Sequence, residues 1–279
     1  MHRVSAVELE DLPWIPSVLR DGGTDLLRLM FGIIRFYDGA APALLRTIAQ
    51  SGHRRIVDLC SGGGGGTLEV LRRHGSSLGP LELLLTDLYP NGSARARLAG
   101  QPPPHPGWSV RYGVEPVDAL AVDVLGPGVR TMATALHHFP PLLVTALVTE
   151  RVRQGQPFAF LDLGAPRALR WAPAPLLVLV LPVVFAVLAL ATLLLTPLLR
   201  PVTPGRLLCT YALPLIPFLV AWDGSASILR AYTPEELLAY ARAAPGSAGY
   251  ELSAGRSGLA VWLTGMPVAG AAASPPRPA

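Results

Sequence analysis

The sequence predicts an α/β protein: a doubly wound, mostly parallel seven-stranded sheet with an N-terminal helical cover and a hydrophobic helical insertion after strand five. Three observations lead there. Short apolar runs alternate with helical stretches between residues 53 and 170, the pattern of strands joined by helical crossovers. The first run ends in a glycine loop, SGGGGG, which opens a helix. Charge is also distributed unevenly, because residues 171 to 222 carry only Arg200 and Arg206 in a chain of 279 residues that is 15% charged overall. An ordinary globular chain is about 25% charged. With 51% hydrophobic residues, disorder as a whole is excluded.

In order along the chain, residues 1–52 form the helical cover, with Leu26, Leu27, Met30, Ile33, Ile34 and Tyr37 near a 3.6-residue period. Residues 53–170 form the α/β core. Its expected strands are Arg55–Cys60, Leu81–Asp87, a third at Trp108–Tyr112 with Val117–Ala119, a fourth at 129–136, and Phe158–Leu163. Helices are expected at Thr67–His74 and 141–153. Residues 171–222 are the insertion, and residues 223–265 complete the core. There Thr233-Pro234-Glu235-Glu236 carries a capping Thr, a proline at the first helical position and a capping-box Glu. Tyr250–Ala254 and Leu259–Thr264 follow as a hairpin joined by GRSG, and 266–279 reads as a disordered tail.

Composition removes several chemistries. The sequence contains no Lys, so a Walker phosphate loop, a pyridoxal Schiff base and a kinase site are excluded. Cys60 and Cys209 alone make neither a cysteine zinc site nor a disulfide framework. The arginines are scattered, which argues against nucleic acid as a partner. Residues Met1–Asp11 hold three acids and no apolar core, so no secretory signal is expected and the protein is placed at the cytoplasmic face.

A glycine loop at a helix start lets a ligand approach the backbone and meet free N–H groups. Asp58, inside the strand before the loop, would repel a diphosphate and attract a sulfonium or an amino group. Asp87, at the end of the second strand, is placed to accept two ribose hydroxyls at the switch point of the sheet. Asp118 is placed to accept an adenine amine. At these residues the chain resembles the class I S-adenosylmethionine-dependent methyltransferases. Asp58-Leu59-Cys60-Ser61-Gly62-Gly63-Gly64 looks like their first motif, with Cys60 in place of the first glycine. The resemblance implies S-adenosylmethionine as cofactor, held by Asp58, Cys60, Ser61, Gly62, Gly64, Asp87, Leu88 (or Tyr89 beside it) and Asp118. A nicotinamide enzyme shares the loop and the ribose acid, but the acid inside strand one and the closing hairpin favour the methyltransferase.

Methyl transfer needs alignment and, for oxygen or nitrogen acceptors, removal of a proton. His137 and His138, after strand four, are the expected general bases. Asp162, at the end of strand five, reads equally as a substrate-orienting residue or a structural hydrogen bond, and Asp223 and Tyr37 are weaker candidates, each readable as a turn or lid residue. No metal site is expected, since the two histidines are adjacent and lack an acidic or Cys partner at ligand spacing.

Leu176–Leu199 is an uncharged run of 24 residues, about 36 Å as a helix and long enough to cross a bilayer core. Leu207–Trp222 is a shorter apolar run of 16. A transmembrane hairpin, a re-entrant or monotopic pair, and a lid or dimer surface all satisfy these lengths. Each puts apolar surface beside the acceptor site. The expected function is therefore methyl transfer to a hydrophobic small molecule or lipid, with membrane association through 176–222. The alternatives are a non-methylating cofactor-binding scaffold protein, or sulfonium-assisted cyclisation on the same fold.

Overall fold

A computed structural model describes residues 6–121, 125–165 and 174–268. The cover consists of α1 (Ser17–Ile33) and α2 (Ala41–Ser51). The core then runs β1 (Arg55–Leu59), α3 (Gly66–His74), β2 (Glu82–Leu85), α4 (Gly92–Ala99), β3 (Ser109–Tyr112), β4 (Val129–Ala133), α5 (Pro141–Arg153) and β5 (Phe158–Leu163). The insertion contributes α6 (Ala174–Leu195), the short α7 (Pro204–Leu207) and α8 (Leu215–Arg230). The chain closes with α9 (Pro234–Arg242), β6 (Tyr250–Ser257) and β7 (Ala260–Pro267).

The seven strands lie in the order β3-β2-β1-β4-β5-β7-β6. β1 to β5 pair in parallel, and β7 enters antiparallel between β5 and β6. Strands buried on both faces read as continuous apolar runs, as in Phe158–Leu163. Alternate residues supply two cores. Ile56, Leu83 and Leu161 face α2 and α3, while Val57, Leu59, Met132 and Phe160 face α5 and α9. The strand order reverses between β1 and β4, and at such a switch point the crossovers diverge and leave a crevice at the carboxyl ends.

Several expected boundaries move. Val117–Ala119 is not a strand; it touches the sheet edge through one bond, from the Val117 amide to the Asp87 carbonyl. The hairpin turn is tighter than GRSG, because Gly255–Ser257 continue β6 and the reversal falls at Gly258 and Leu259. β7 extends to Pro267, so the start of the expected tail is strand; residues 269–279 lie outside the described residues. The capping box forms as expected, with the Glu236 amide donating to the Thr233 hydroxyl and the Thr233 amide to the Glu236 carboxylate.

The insertion departs most from expectation. Its second apolar run is not one helix: α7 and a π-turn (Leu208–Ala212) break from α8 at an angle of 75°. The inner half of α8 is core, with Ile216, Leu219 and Val220 buried against Ile15 and Leu26. Gly22 and Gly23 of α1 admit these side chains, since a Cβ at Gly22 would stand 2.6 Å from the Ile216 methyl. The linker between the legs also returns to the domain. Leu199 joins the same core, and the buried Arg206 guanidinium donates to Asp25 of α1 at 2.5 Å. A hairpin crossing a bilayer would carry Arg206 to the far side, where Asp25 is not available. α6 is exposed along most of its length: Leu176–Leu198 is long and apolar enough to cross a membrane by length and composition, with 11% of its most apolar window buried. Leu176, Leu179, Val183, Val187, Leu190 and Leu194 form its exposed stripe, spaced three and four residues apart.

Candidate functional site

A cavity of about 370 Å³ opens over the glycine loop at the switch point. Its floor is the turn from β1 into α3. Cys60 holds a positive φ of 52°, a conformation that glycine adopts without cost and a side chain does not. The loop then passes so close to α1 that a Cβ on Gly63 would stand 2.5 Å from the Thr24 carbonyl oxygen. Glycine is therefore required there by contact.

Asp87 faces this loop. Its carboxylate accepts the Gly62 amide at 2.7 Å and the Tyr89 amide at 2.8 Å, which fixes both oxygens at the cavity edge. Burial raises its carboxyl above the ordinary value against those two bonds. The Arg20 guanidinium stacks 3.9 Å over the Tyr89 ring. Among the expected cofactor residues, Cys60, Ser61, Gly62, Asp87 and Leu88 line the cavity.

Asp58, Gly64 and Asp118 do not line it. Asp58 is buried and accepts hydrogen bonds from the hydroxyls of Ser61 (2.6 Å), Thr67 (2.5 Å) and Thr131 (2.7 Å). It holds the loop from behind, so the expected contact with a cationic ligand is replaced by three contacts with the chain. Gly64, at φ 69°, turns inward toward Leu85 and Leu98. Asp118 is exposed and accepts the Leu120 amide.

The histidines part company. His137 is buried away from the cavity, its backbone amide and Nδ1 both directed at Asp162, at 2.7 and 2.8 Å. His138 lines the cavity, with Nδ1 2.7 Å from Asp11 and Nε2 3.2 Å from Glu8. Burial alone would lower its pKa, but the hydrogen bond with Asp11 and the charges of Glu8 and Glu10 outweigh this and raise it to about 10. Both ring nitrogens are thereby engaged with carboxylates, which sets the ring against the expected role of a free general base. The expected lack of acidic neighbours is also corrected: folding brings Glu8, Glu10, Asp11 and Asp162 to the pair.

Three of those acids, Glu8, Glu10 and Asp11, come from residues 8–11, a strap over one end of the cavity that sequence reasoning missed. It is held by α8, where Asp223 accepts the Leu9 and Glu10 amides at 2.6 and 3.0 Å and Arg230 reaches Asp11 at 2.9 Å. Arg230 also donates to the carbonyls of His137 and His138. Arg20 of α1 donates to the Glu10 and Leu12 carbonyls. Asp223 is thus an anchor inside a helix and not a turn residue. Tyr37 is buried, hydrogen-bonded to the Thr134 hydroxyl at 2.6 Å. The Glu8-Leu9-Glu10-Asp11 run was visible in the sequence, but its partners lie some 130 and 220 positions away, beyond any spacing rule.

No family model matches the chain, and no curated protein matches it. Solved structures do. An O-methyltransferase family 2 protein from Planctomyces limnophilus, in complex with apigenin, is similar with a TM-score of 0.51 at 14% identity, over 92% of this chain and 63% of that one. Human N-acetylserotonin methyltransferase with SAM gives 0.46 at 14%, over 86% and 56%. An O-methyltransferase family protein from Burkholderia thailandensis gives 0.43 at 16%, over 87% and 60%. The chain spans about three-fifths of the length of these structures. The strand order, the antiparallel β7 beside β5 and the likeness to the Planctomyces protein identify the fold as that of the class I methyltransferases.

Proposed function

We propose that the protein is an S-adenosylmethionine-dependent methyltransferase acting on a small acceptor with an apolar body. The observation that carries this reading is the cavity itself: a backbone cradle at Ser61–Gly63 and a carboxylate at Asp87, open at the switch point of this fold. The residues fit the cofactor. Both Asp87 oxygens keep lone pairs for ribose hydroxyls, Leu88 and Tyr89 offer apolar faces to adenine, and the loop at Ser61–Gly63 approaches without side chains. Glu10, Asp11, Asp21 and Asp87 line the wall beside Arg20 and Arg28, a mixed surface that suits a zwitterionic ligand better than a diphosphate. When bound, S-adenosylmethionine supplies an already activated methyl group, so the protein's share is alignment and exclusion of water. Phe139 and Leu143 give the acceptor end apolar wall, and the strap closes it. His138 is the member of the histidine pair placed to meet the acceptor.

The exposed α6 stripe supports an acceptor drawn from a lipid surface. A helix whose neighbours α8 and the Arg206 linker are both docked on the domain lies along the surface, which suits in-plane contact with one leaflet.

Binding of S-adenosylhomocysteine by calorimetry tests the reading. The wild type is expected to bind one equivalent. Asp87→Ala is expected to weaken binding roughly 10- to 150-fold, since a hydrogen bond to a charged group contributes about 1.5–3 kcal/mol. Absence of binding to the wild type would overturn the proposal.

A further inference from the structure

We propose that Glu8, His137 and His138 form a binding site for one divalent transition-metal cation beside the cavity. One ligand atom from each lies within 4.8 Å of the others. His138 Nε2 is 3.2 Å from Glu8 Oε2, and His137 Nε2 is 3.8 Å from Glu8 Oε1. Bonds of about 2.1 Å to one ion place such donors roughly 3.0–3.5 Å apart, so the three donors, spread over as much as 4.8 Å, draw together by about an ångström when an ion binds.

The orientation of the imidazoles is the second observation. A carboxylate only accepts, so Asp162 and Asp11 fix the proton of each ring on Nδ1 and leave each Nε2 directed at Glu8. Carboxylate behind histidine behind metal is the arrangement that orients ligands and raises their basicity.

Glu8 is the third. It is 1% exposed, yet neither carboxylate oxygen accepts a hydrogen bond. Its neighbours are the two imidazoles and the Arg230 guanidinium, 3.3 Å from Oε1 and shared with Asp11. A buried carboxylate is ordinarily hydrogen-bonded or bound to a cation. Among the described residues four carboxylates, Glu8, Glu10, Asp11 and Asp162, surround the two imidazoles and Arg230, so the cluster is rich in anionic donors for a dication.

Two imidazoles and one carboxylate select zinc, iron(II), cobalt or manganese over magnesium or calcium, which prefer oxygen alone. Three protein ligands also leave a coordination position open, the pattern of catalytic rather than structural sites. Through His138, the member of the set that lines the cavity, the ion would fix one wall of the acceptor end. That use rests on the methyltransferase reading; the site itself rests on the geometry.

The test is metal binding by the full chain. Protein stripped with dipicolinate and titrated with Co²⁺ is expected to develop a visible d–d spectrum saturating at one equivalent. Zn²⁺ should displace the cobalt and Mg²⁺ should not. Glu8→Gln, which conserves shape, and His137→Ala are each expected to weaken Co²⁺ binding by more than about 100-fold, beyond the 10- to 100-fold typical of outer-shell losses. Thermal melting of the metal-free variants separates lost ligation from lost folding, and Glu8→Gln decides if His137→Ala does not fold. A wild type that binds no Co²⁺ or Zn²⁺ overturns the proposal, as does a folded Glu8→Gln that binds as the wild type does. S-adenosylhomocysteine binding in the same samples keeps the two readings apart: S-adenosylhomocysteine without metal sinks only this site, and metal without S-adenosylhomocysteine sinks only the methyltransferase.

Discussion

Cys60 stands where a glycine is expected and adopts glycine's backbone, so the strain and its remedy belong to one residue. A side chain in the left-handed region costs about 1 kcal/mol, while glycine costs about 0.4–1 kcal/mol through the unfolded chain. Cys60→Gly is therefore expected to leave stability within about 1 kcal/mol of the wild type. Cys60→Val, branched at Cβ, should lose about 2 kcal/mol or more in urea unfolding. Equal midpoints for the two variants would show that the turn is not strained. Asp21, half-buried on the cavity wall, gives the pH-dependent counterpart. Burial, opposed by the Gly92 amide and assisted by the charge of Asp25, raises its carboxyl from 3.8 to about 6. A folded pKa above the unfolded one gives stability that is present below pH 3.8 and lost as pH rises through 6. Asp21→Asn should then gain about 1 kcal/mol at pH 7.5, after allowance for solvent screening, and nothing near pH 3.5. Melting curves at the two pH values are the measurement.

Among the elements, strands and crossovers were legible because periodicity is local. Phe158–Leu163 and the helix 141–153 fall where the apolar runs place them, and the capping box at Thr233 starts α9 as its residue types require. The insertion was legible as apolar but not as a shape. A run such as Leu207–Trp222 has the same composition whether it crosses a membrane or packs on α1, and only partners such as Gly22 and Asp25 separate the two. The ion pair of Arg206 with Asp25 holds the linker down. Both groups are buried, and removing one partner from such a pair costs about 3–5 kcal/mol. Since Arg97 remains 3.5 Å from Asp25, Arg206→Ala is expected at the low end, about 3 kcal/mol by chemical denaturation, with faster proteolysis between Pro197 and Leu213. An unchanged cleavage rate there would mean that the linker is held by Leu199 and its apolar neighbours alone.

For the whole molecule, the exposed stripe of α6 and the strap over the cavity meet at α8. Its outer face shows Phe218 and Trp222, and its inner face holds the strap through Asp223 and Arg230. The Trp222 indole itself donates to the Val7 carbonyl at 3.0 Å. A lipid surface against α6 would thus lie next to the helix that closes the cavity. Flotation with phosphatidylcholine vesicles measures this contact. The wild type is expected to float, and the double variant Val183→Asp/Leu190→Asp to partition at least tenfold less, since each lost apolar contact is about 1.5–3 kcal/mol. Flotation by both proteins alike would remove α6 as the membrane face.

What the residues determined without the fold was everything that depends on near neighbours. That covers the alternating strands, the glycine loop with Cys60 in its first position, the acid at the end of strand two and the apolar run of α6. These follow from backbone freedom, side-chain period and composition, which act over a few residues. What the tertiary structure alone decided depends on groups far apart in the chain. Asp58 became a support for the loop because Thr131 arrives beside it on β4. His137 and His138 separated into a buried residue and a cavity residue, and Glu8 joined them from the other end of the chain. Electrostatics and ligation act through space at a few ångströms, and only the folded sheet sets those distances.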